Sequence, residues 1–288
     1  MPLFKKRDLP NPGRLEELKK EAQAVLSPDV FEGARFEFNK SFGQKFALLH
    51  NITMVPGMPG GYEFGANFGD DKLLLASRIN MQGALTGRAN WQPVDNILLR
   101  AQTQVQPEGG NTFKVDADYK GGDFSAGAYF FAGGLVGASY LQSLSEGLSL
   151  GVEGFYHLLN QKGGGAGALR YAWGHKGSSV LTAKAGTFGN GMLELAYQRK
   201  VTEKVALATE LQYYHGQICQ FGLGYEFKLR SAVFKGLISS DTTCSAVLEE
   251  RISQGGGIGL TLSGMLNHKK KDYKFGIGLS LEGMGVGP

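Results

Sequence analysis

Asn96-Ile97-Leu98-Leu99-Arg100-Ala101-Gln102-Thr103-Gln104-Val105-Gln106 decides the fold class. Ile97, Leu99, Ala101, Thr103 and Val105 make one face, and Arg100, Gln102, Gln104 and Gln106 make the other. A period of two places alternate side chains on opposite faces of a strand. The next segment repeats the pattern, with Phe113, Val115, Ala117 and Tyr119 opposite Lys114, Asp116, Asp118 and Lys120. The turn signals Pro107-Glu108-Gly109-Gly110 lie between the two.

The same alternation runs from about Asp29 to the C-terminus. Leu148, Leu150, Val152 and Tyr156 oppose Ser149, Glu153 and His157, and Cys219, Phe221, Leu223, Tyr225 and Phe227 oppose Gln220, Glu226 and Lys228. Further turn clusters, such as Lys120-Gly121-Gly122-Asp123, Gly163-Gly164-Gly165 and Gly189-Asn190-Gly191, recur every ten to fifteen residues or so. About 260 residues divided into strand-plus-turn units of about fourteen give about nineteen strands, each near the length that crosses a tilted bilayer path. A sandwich or propeller would show shorter, less uniform strands. The expectation is therefore an all-β transmembrane barrel over residues 29–288, preceded by an N-terminal segment, residues 1–28, that carries one helix.

That helix is expected from Pro12 to Leu26. Asn11 can cap it, Glu16 and Glu17 precede Lys19 and Lys20, and Ser27-Pro28 ends it. Leu15, Leu18, Ala22 and Val25 share one side, so the helix needs an apolar surface to lie against. Met1-Pro2-Leu3-Phe4-Lys5-Lys6-Arg7 lacks the apolar core of a secretory signal.

Composition narrows the function. The 288 residues include 44 glycines, carry a net charge of +4 and contain two cysteines. The charge excess is small and interspersed, which argues against nucleic acid as a partner. Cys219 and Cys244 form no CxxC, and His50, His157, His175, His215 and His268 make no metal-ligand spacing. Neither a cofactor nor enzymatic chemistry is expected.

The polar faces define a wet lumen of mixed charge. Glu37, Glu63, Asp116, Asp118, Glu153, Glu194, Glu210, Glu226 and Glu249 share the polar parity of their strands, as do Arg78, Arg100, Arg170, Lys184, Lys204 and Lys235. Lys40 and His50 instead share parity with Phe36, Phe38, Phe46, Leu48 and Ile52, on the apolar outer wall. A charge facing lipid is costly unless it reaches the interface or meets a partner.

Three runs carry a family resemblance: Val115-Asp116-Ala117-Asp118-Tyr119-Lys120-Gly121-Gly122-Asp123-Phe124; Ala138-Ser139-Tyr140-Leu141-Gln142-Ser143 with Glu153-Gly154-Phe155-Tyr156-His157; and Leu266-Asn267-His268-Lys269-Lys270 leading into Lys274-Phe275-Gly276-Ile277-Gly278-Leu279. In these the chain resembles the forty-kilodalton channel-subunit family of the mitochondrial outer-membrane protein translocase, a relative of the voltage-dependent anion channel. The resemblance implies an odd-numbered barrel closed by parallel pairing of its first and last strands, with the helix inside the pore. It implies a channel in the mitochondrial outer membrane that imports unfolded precursor proteins, the alternative being an anion-channel-like metabolite pore.

Implied partners are precursors with basic presequences, receptor and small single-helix subunits of the translocase, membrane lipids, and a second or further barrel. On that reading Glu37, Asp116, Asp118, Glu153, Glu194, Glu210, Glu226 and Glu249 are the presequence-contacting candidates. Lys274, Gly276, Leu279 and Leu281 match the family's barrel-insertion signal, and Lys40 and His50 match basic residues at a lipid-filled interface between barrels. Only about ten residues precede the helix, so functions of a long N-terminal arm are not expected.

Overall fold

The computed structural model describes residues 9–174, 177–187, 191–216, 218–252 and 257–283. Met1 to Arg7, His175, and Gly189 and Asn190 of the expected turn lie outside the described residues. Nineteen strands, numbered in chain order from β1 (Gly33–Phe42) to β19 (Asp272–Gly283), form one closed sheet. Each neighbouring pair is antiparallel except the closing one. There β1 runs parallel to β19, with Gly33 opposite Gly276 and Lys40 opposite Gly283. Full closure leaves no unpaired backbone edge for the bilayer core, where unsatisfied polar groups are costly.

The alternation of the sequence sets the two faces. Along β6 (Ile97–Val105) and β7 (Thr112–Lys120), Phe113, Val115 and Tyr119 point outward and are exposed, while Arg100 and Asp116 are buried on the inner face at 6% and 3% exposure. Exposed Phe36, Phe38, Leu150, Val152, Phe221 and Ile277 extend the apolar outer wall around the barrel. This arrangement is the reverse of a soluble protein and matches lipid outside with water inside.

The helical segment differs from its expected form. Residues Leu15–Glu17 make a single 3-10 turn, and the α-helix α1 covers only Lys20–Leu26. Asn11 does not cap a helix. Its amide donates to the carbonyls of Gly121 and Phe124, at 2.9 Å each, and its Oδ1 accepts from the Gly13 amide. Gly13, at φ +80°, then turns the chain, and Ser143 Oγ donates to the carbonyl of Pro10 at 2.8 Å. The barrel wall thus takes the polar groups that a cap would have used.

The helical segment lies inside the barrel. Leu15 and Leu18 pack on Leu141 and Ala168, while Ala22, Val25 and Leu26 pack on Ala196, Ala206 and Ala208. These wall residues sit at inward positions of β9 (Leu135–Ser143), β11 (Lys162–Trp173), β13 (Met192–Thr202) and β14 (Val205–Tyr214). Small residues make room for the approach. A Cβ at Gly151 would stand 2.5 Å from Leu15 Cδ1, and one at Gly224 would stand 3.0 Å from the Val25 carbonyl oxygen. Burying Val25 (1% exposed) and Leu26 (7%) in an otherwise wet lumen contributes about 1.5–3 kcal/mol each.

Candidate functional site

The lumen divides into an arc covered by the helical segment and an arc that is not. On the covered arc, Arg100 Nη2 lies 3.1 Å from Asp118, 3.5 Å from Asp116 and 3.3 Å from Glu16. Lys114 Nζ joins Glu16 at 2.8 Å and Asp116 at 3.0 Å, and Arg14 Nε meets Asp118 at 3.1 Å. The second anchor is Lys19, whose Nζ lies 3.0 Å from Glu194 and 2.9 Å from Glu210. Arg170 pairs with Glu21 at 2.8 Å. The helical segment therefore meets the wall through opposite charges at Arg14, Glu16, Lys19 and Glu21, interleaved with the apolar contacts of Leu15, Leu18 and Ala22.

Those pairs hold both helix charges in place. Burial favours the neutral form of Glu16, but Lys114 and Arg14 outweigh it and keep the carboxyl below its ordinary range. Burial likewise opposes the charge on Lys19, yet Glu210 and Glu194 lift its ammonium above the ordinary lysine range.

Of the eight acidic candidates, Asp118, Glu194 and Glu210 are engaged by Arg14 and Lys19, and Asp116 is held by Arg100 and Lys114 of the wall, the two cations that also hold Glu16. Glu153 is held by Lys184 at 2.7 Å and by the Tyr129 hydroxyl at 3.1 Å. Glu37, Glu226 and Glu249 make no ion pair with the helical segment. Glu37 and Glu249 line a cleft of about 560 Å³ with Arg35, Arg230 and Arg251. Glu226 has Lys228 at 3.5 Å and Lys235 at 3.8 Å, and Glu249 has no ion-pair partner among the described residues. A mobile cation can therefore compete for this second group without displacing the helix.

The polar parity of the eight carboxylates is legible in the sequence, but the helix charges that pair with three of them, Asp118, Glu194 and Glu210, are not. The usable signal was alanine at lumen parity, Ala196, Ala206 and Ala208, where neighbouring inward positions carry Glu194, Gln198, Glu210 and Gln212.

On the outer wall, Lys40 Nζ sits 5.1 Å over the Phe42 ring at the end of β1. His50, in β2 (Phe46–Met54), lies among Phe38, Tyr62 and Phe64, and its Nδ1 shares a 2.7 Å hydrogen bond with the Tyr62 hydroxyl. In β19, Lys274 and Gly276 occupy inward positions, whereas Leu279 and Leu281 share the outward parity of Ile277. Among the described residues no group of three or more His, Cys, Asp or Glu side chains converges as a metal site.

A closed sheet with lipid-facing aromatics and a charged, partly occupied interior defines a porin-type transmembrane pore. The chain belongs to the eukaryotic porin family, whose model matches residues 11–276. It is 34% identical to the probable mitochondrial import receptor subunit TOM40-2 of Arabidopsis thaliana over 95% of this chain and 91% of that protein. It is 29% identical to TOM40 homolog 2 of Drosophila melanogaster, covering 96% and 86%, and 26% identical to the human TOM40 homolog, covering 95% and 79%. Among solved structures, a mutant Rh. blastica porin aligns with a TM-score of 0.51 at 11% identity over 80% of this chain and 95% of that one, a likeness of fold alone.

Proposed function

We propose that this barrel is the protein-conducting channel of the mitochondrial outer-membrane import translocase, passing unfolded precursors without a cofactor or covalent chemistry. The observation that carries the reading is the near full-length similarity to import receptor subunits. The lumen supplies a physical rationale. A basic presequence is attracted to Glu37, Glu226 and Glu249, each too weak alone to trap it. Glu249 is exposed and unpaired among the described residues, while Glu37 faces Arg35 and Glu226 faces Lys228 and Lys235. Asp118, Glu194 and Glu210 contribute where the helical segment yields, Asp116 where Arg100 and Lys114 do, and Glu153 where Lys184 does.

Receptor and small single-helix subunits would sit on the outer wall, and Lys40 with His50 would mark the stretch that meets lipid headgroups and a second barrel. Lys274, Gly276, Leu279 and Leu281 would serve as the insertion signal.

Planar-bilayer conductance tests the reading. The full-length barrel should be blocked transiently by a basic, amphipathic presequence peptide and not by a peptide of the same length with its basic residues replaced by glutamine. Anion-selective conductance indifferent to both peptides would replace it with a metabolite pore.

A further inference from the structure

Residues 27–32 carry the chain from α1 to β1, and they run along the inner face of β19. Phe31 lies on two inward glycines. A Cβ at Gly276 would stand 2.7 Å from the Phe31 ring and would also meet its carbonyl oxygen, and a Cβ at Gly278 would stand 3.1 Å from the ring. The Phe31 amide donates to Ser263 Oγ at 3.0 Å, on β18 (Ile258–Asn267), where Ser263 is 1% exposed. From β1, the Arg35 guanidinium carbon lies 4.0 Å over the same ring, an attractive cation–π placement. Arg35 is itself held by Asp29 and by Glu37 at 3.5 Å. Beside it, Lys274 Nζ lies 3.4 Å from Glu32.

The chain can enter β1 from this position only because Gly33 adopts φ +85°, where a Cβ would overlap the Met54 carbonyl. Phe31 thus links three strands, its amide reaching β18 while its ring lies on β19 and beneath Arg35 of β1, and it bridges the parallel pairing that closes the barrel. Parallel ladders are slightly weaker per residue than antiparallel ones, so this is the seam where added cross-links matter most.

We propose that the inner face of β19 is an intramolecular docking site for Phe31, and that the Phe31–Arg35 stack is a latch holding the β1–β19 seam closed. The glycines at 276 and 278 are small because the ring occupies the space above them. Of the residues expected by resemblance to be read during insertion, Gly276 lies beneath Phe31 in the finished barrel, and Lys274 pairs with Glu32 while staying partly exposed. Reading that inner face and latching the seam then exclude each other. The latch itself does not depend on what passes through the pore.

Hydrogen–deuterium exchange of the full-length chain purified in detergent, with no sorting component present, tests it. Phe31→Ala should speed amide exchange in residues 34–40 and 276–282 about tenfold while leaving the β9–β10 pairing, with β10 at Leu148–His157, unchanged. Arg35→Gln, which keeps the ring and removes the stacked cation, should give a smaller increase of about threefold at the same seam. If Phe31→Ala fails to fold, Arg35→Gln carries the test. Unchanged exchange at β1–β19, or equal acceleration at both pairings, would overturn the latch.

Discussion

Replacing Glu37, Glu226 and Glu249 together by glutamine should raise the concentration of presequence peptide that half-blocks the pore about tenfold at low salt. Exposed charge pairs contribute about 0.5 kcal/mol each, so three give roughly the 1.4 kcal/mol that corresponds to a tenfold change. The effect is expected to be large because none of these carboxylates is ion-paired to the helical segment. Glu194→Gln with Glu210→Gln should change the block much less, since Lys19 already occupies that pair. Raising the salt to about 1 M should bring the parent and the triple variant together, because screening then acts within about 3 Å. An unaltered block in the triple variant would show that these three carboxylates do not attract the peptide.

Reversing one charge on the helical segment should release it from the wall. In Lys19→Glu three carboxylates would share the space now filled by one ammonium and two carboxylates. Breaking a well-buried pair costs about 3–5 kcal/mol, and a wet lumen reduces this. Even about 1.4 kcal/mol opens the contact tenfold more often. Ala208, only 1% exposed beneath α1, reports the opening. In a background with Cys219 and Cys244 replaced by serine, the thiol of Ala208→Cys should react with a charged methanethiosulfonate at least about tenfold faster once Lys19→Glu is added.

Acid should act in the same direction through the other anchor. The carboxyl of Glu16 lies lower in the folded protein than in the unfolded chain, so its contribution is present above the ordinary glutamate range near pH ~4.3 and is lost as pH falls through the folded value. Lys19 is raised, so its contribution persists through neutrality and is lost only in strong alkali. Labelling that, corrected for the thiolate fraction at each pH, ignored both Lys19→Glu and acid would mean that the ion pairs of Glu16 and Lys19 do not seat the helix.

The strand number and the facing of each strand were legible because one-residue shifts exchange lipid and water, which leaves a period-two record in the chain. Arg100, Asp116 and Asp118 therefore fell on the correct side from local sequence. The helix length was not legible. Asn11-Pro12 has the chemistry of a helix start, but Asn11 spends its side chain on Gly121 and Phe124, more than a hundred residues away.

The split of the acidic residues was hidden for the same reason, since Lys19 meets Glu194 and Glu210 only after the barrel has closed around it. Lys40 and His50 could be placed on the outer wall by parity. The aromatic surroundings of His50 required the register that sets Phe38 opposite it on β1 and Phe64 opposite it on β3 (Gly61–Gly69).

The most direct test of a protein-conducting lumen is crosslinking of a precursor arrested in transit to single cysteines at neighbouring positions of β6. A cysteine at inward Gln102 should crosslink to the arrested chain, and a cysteine at outward Ala101 should not. Crosslinks confined to Ala101, or absent from every inward position tried around the barrel while the precursor is arrested, would contradict passage through this pore.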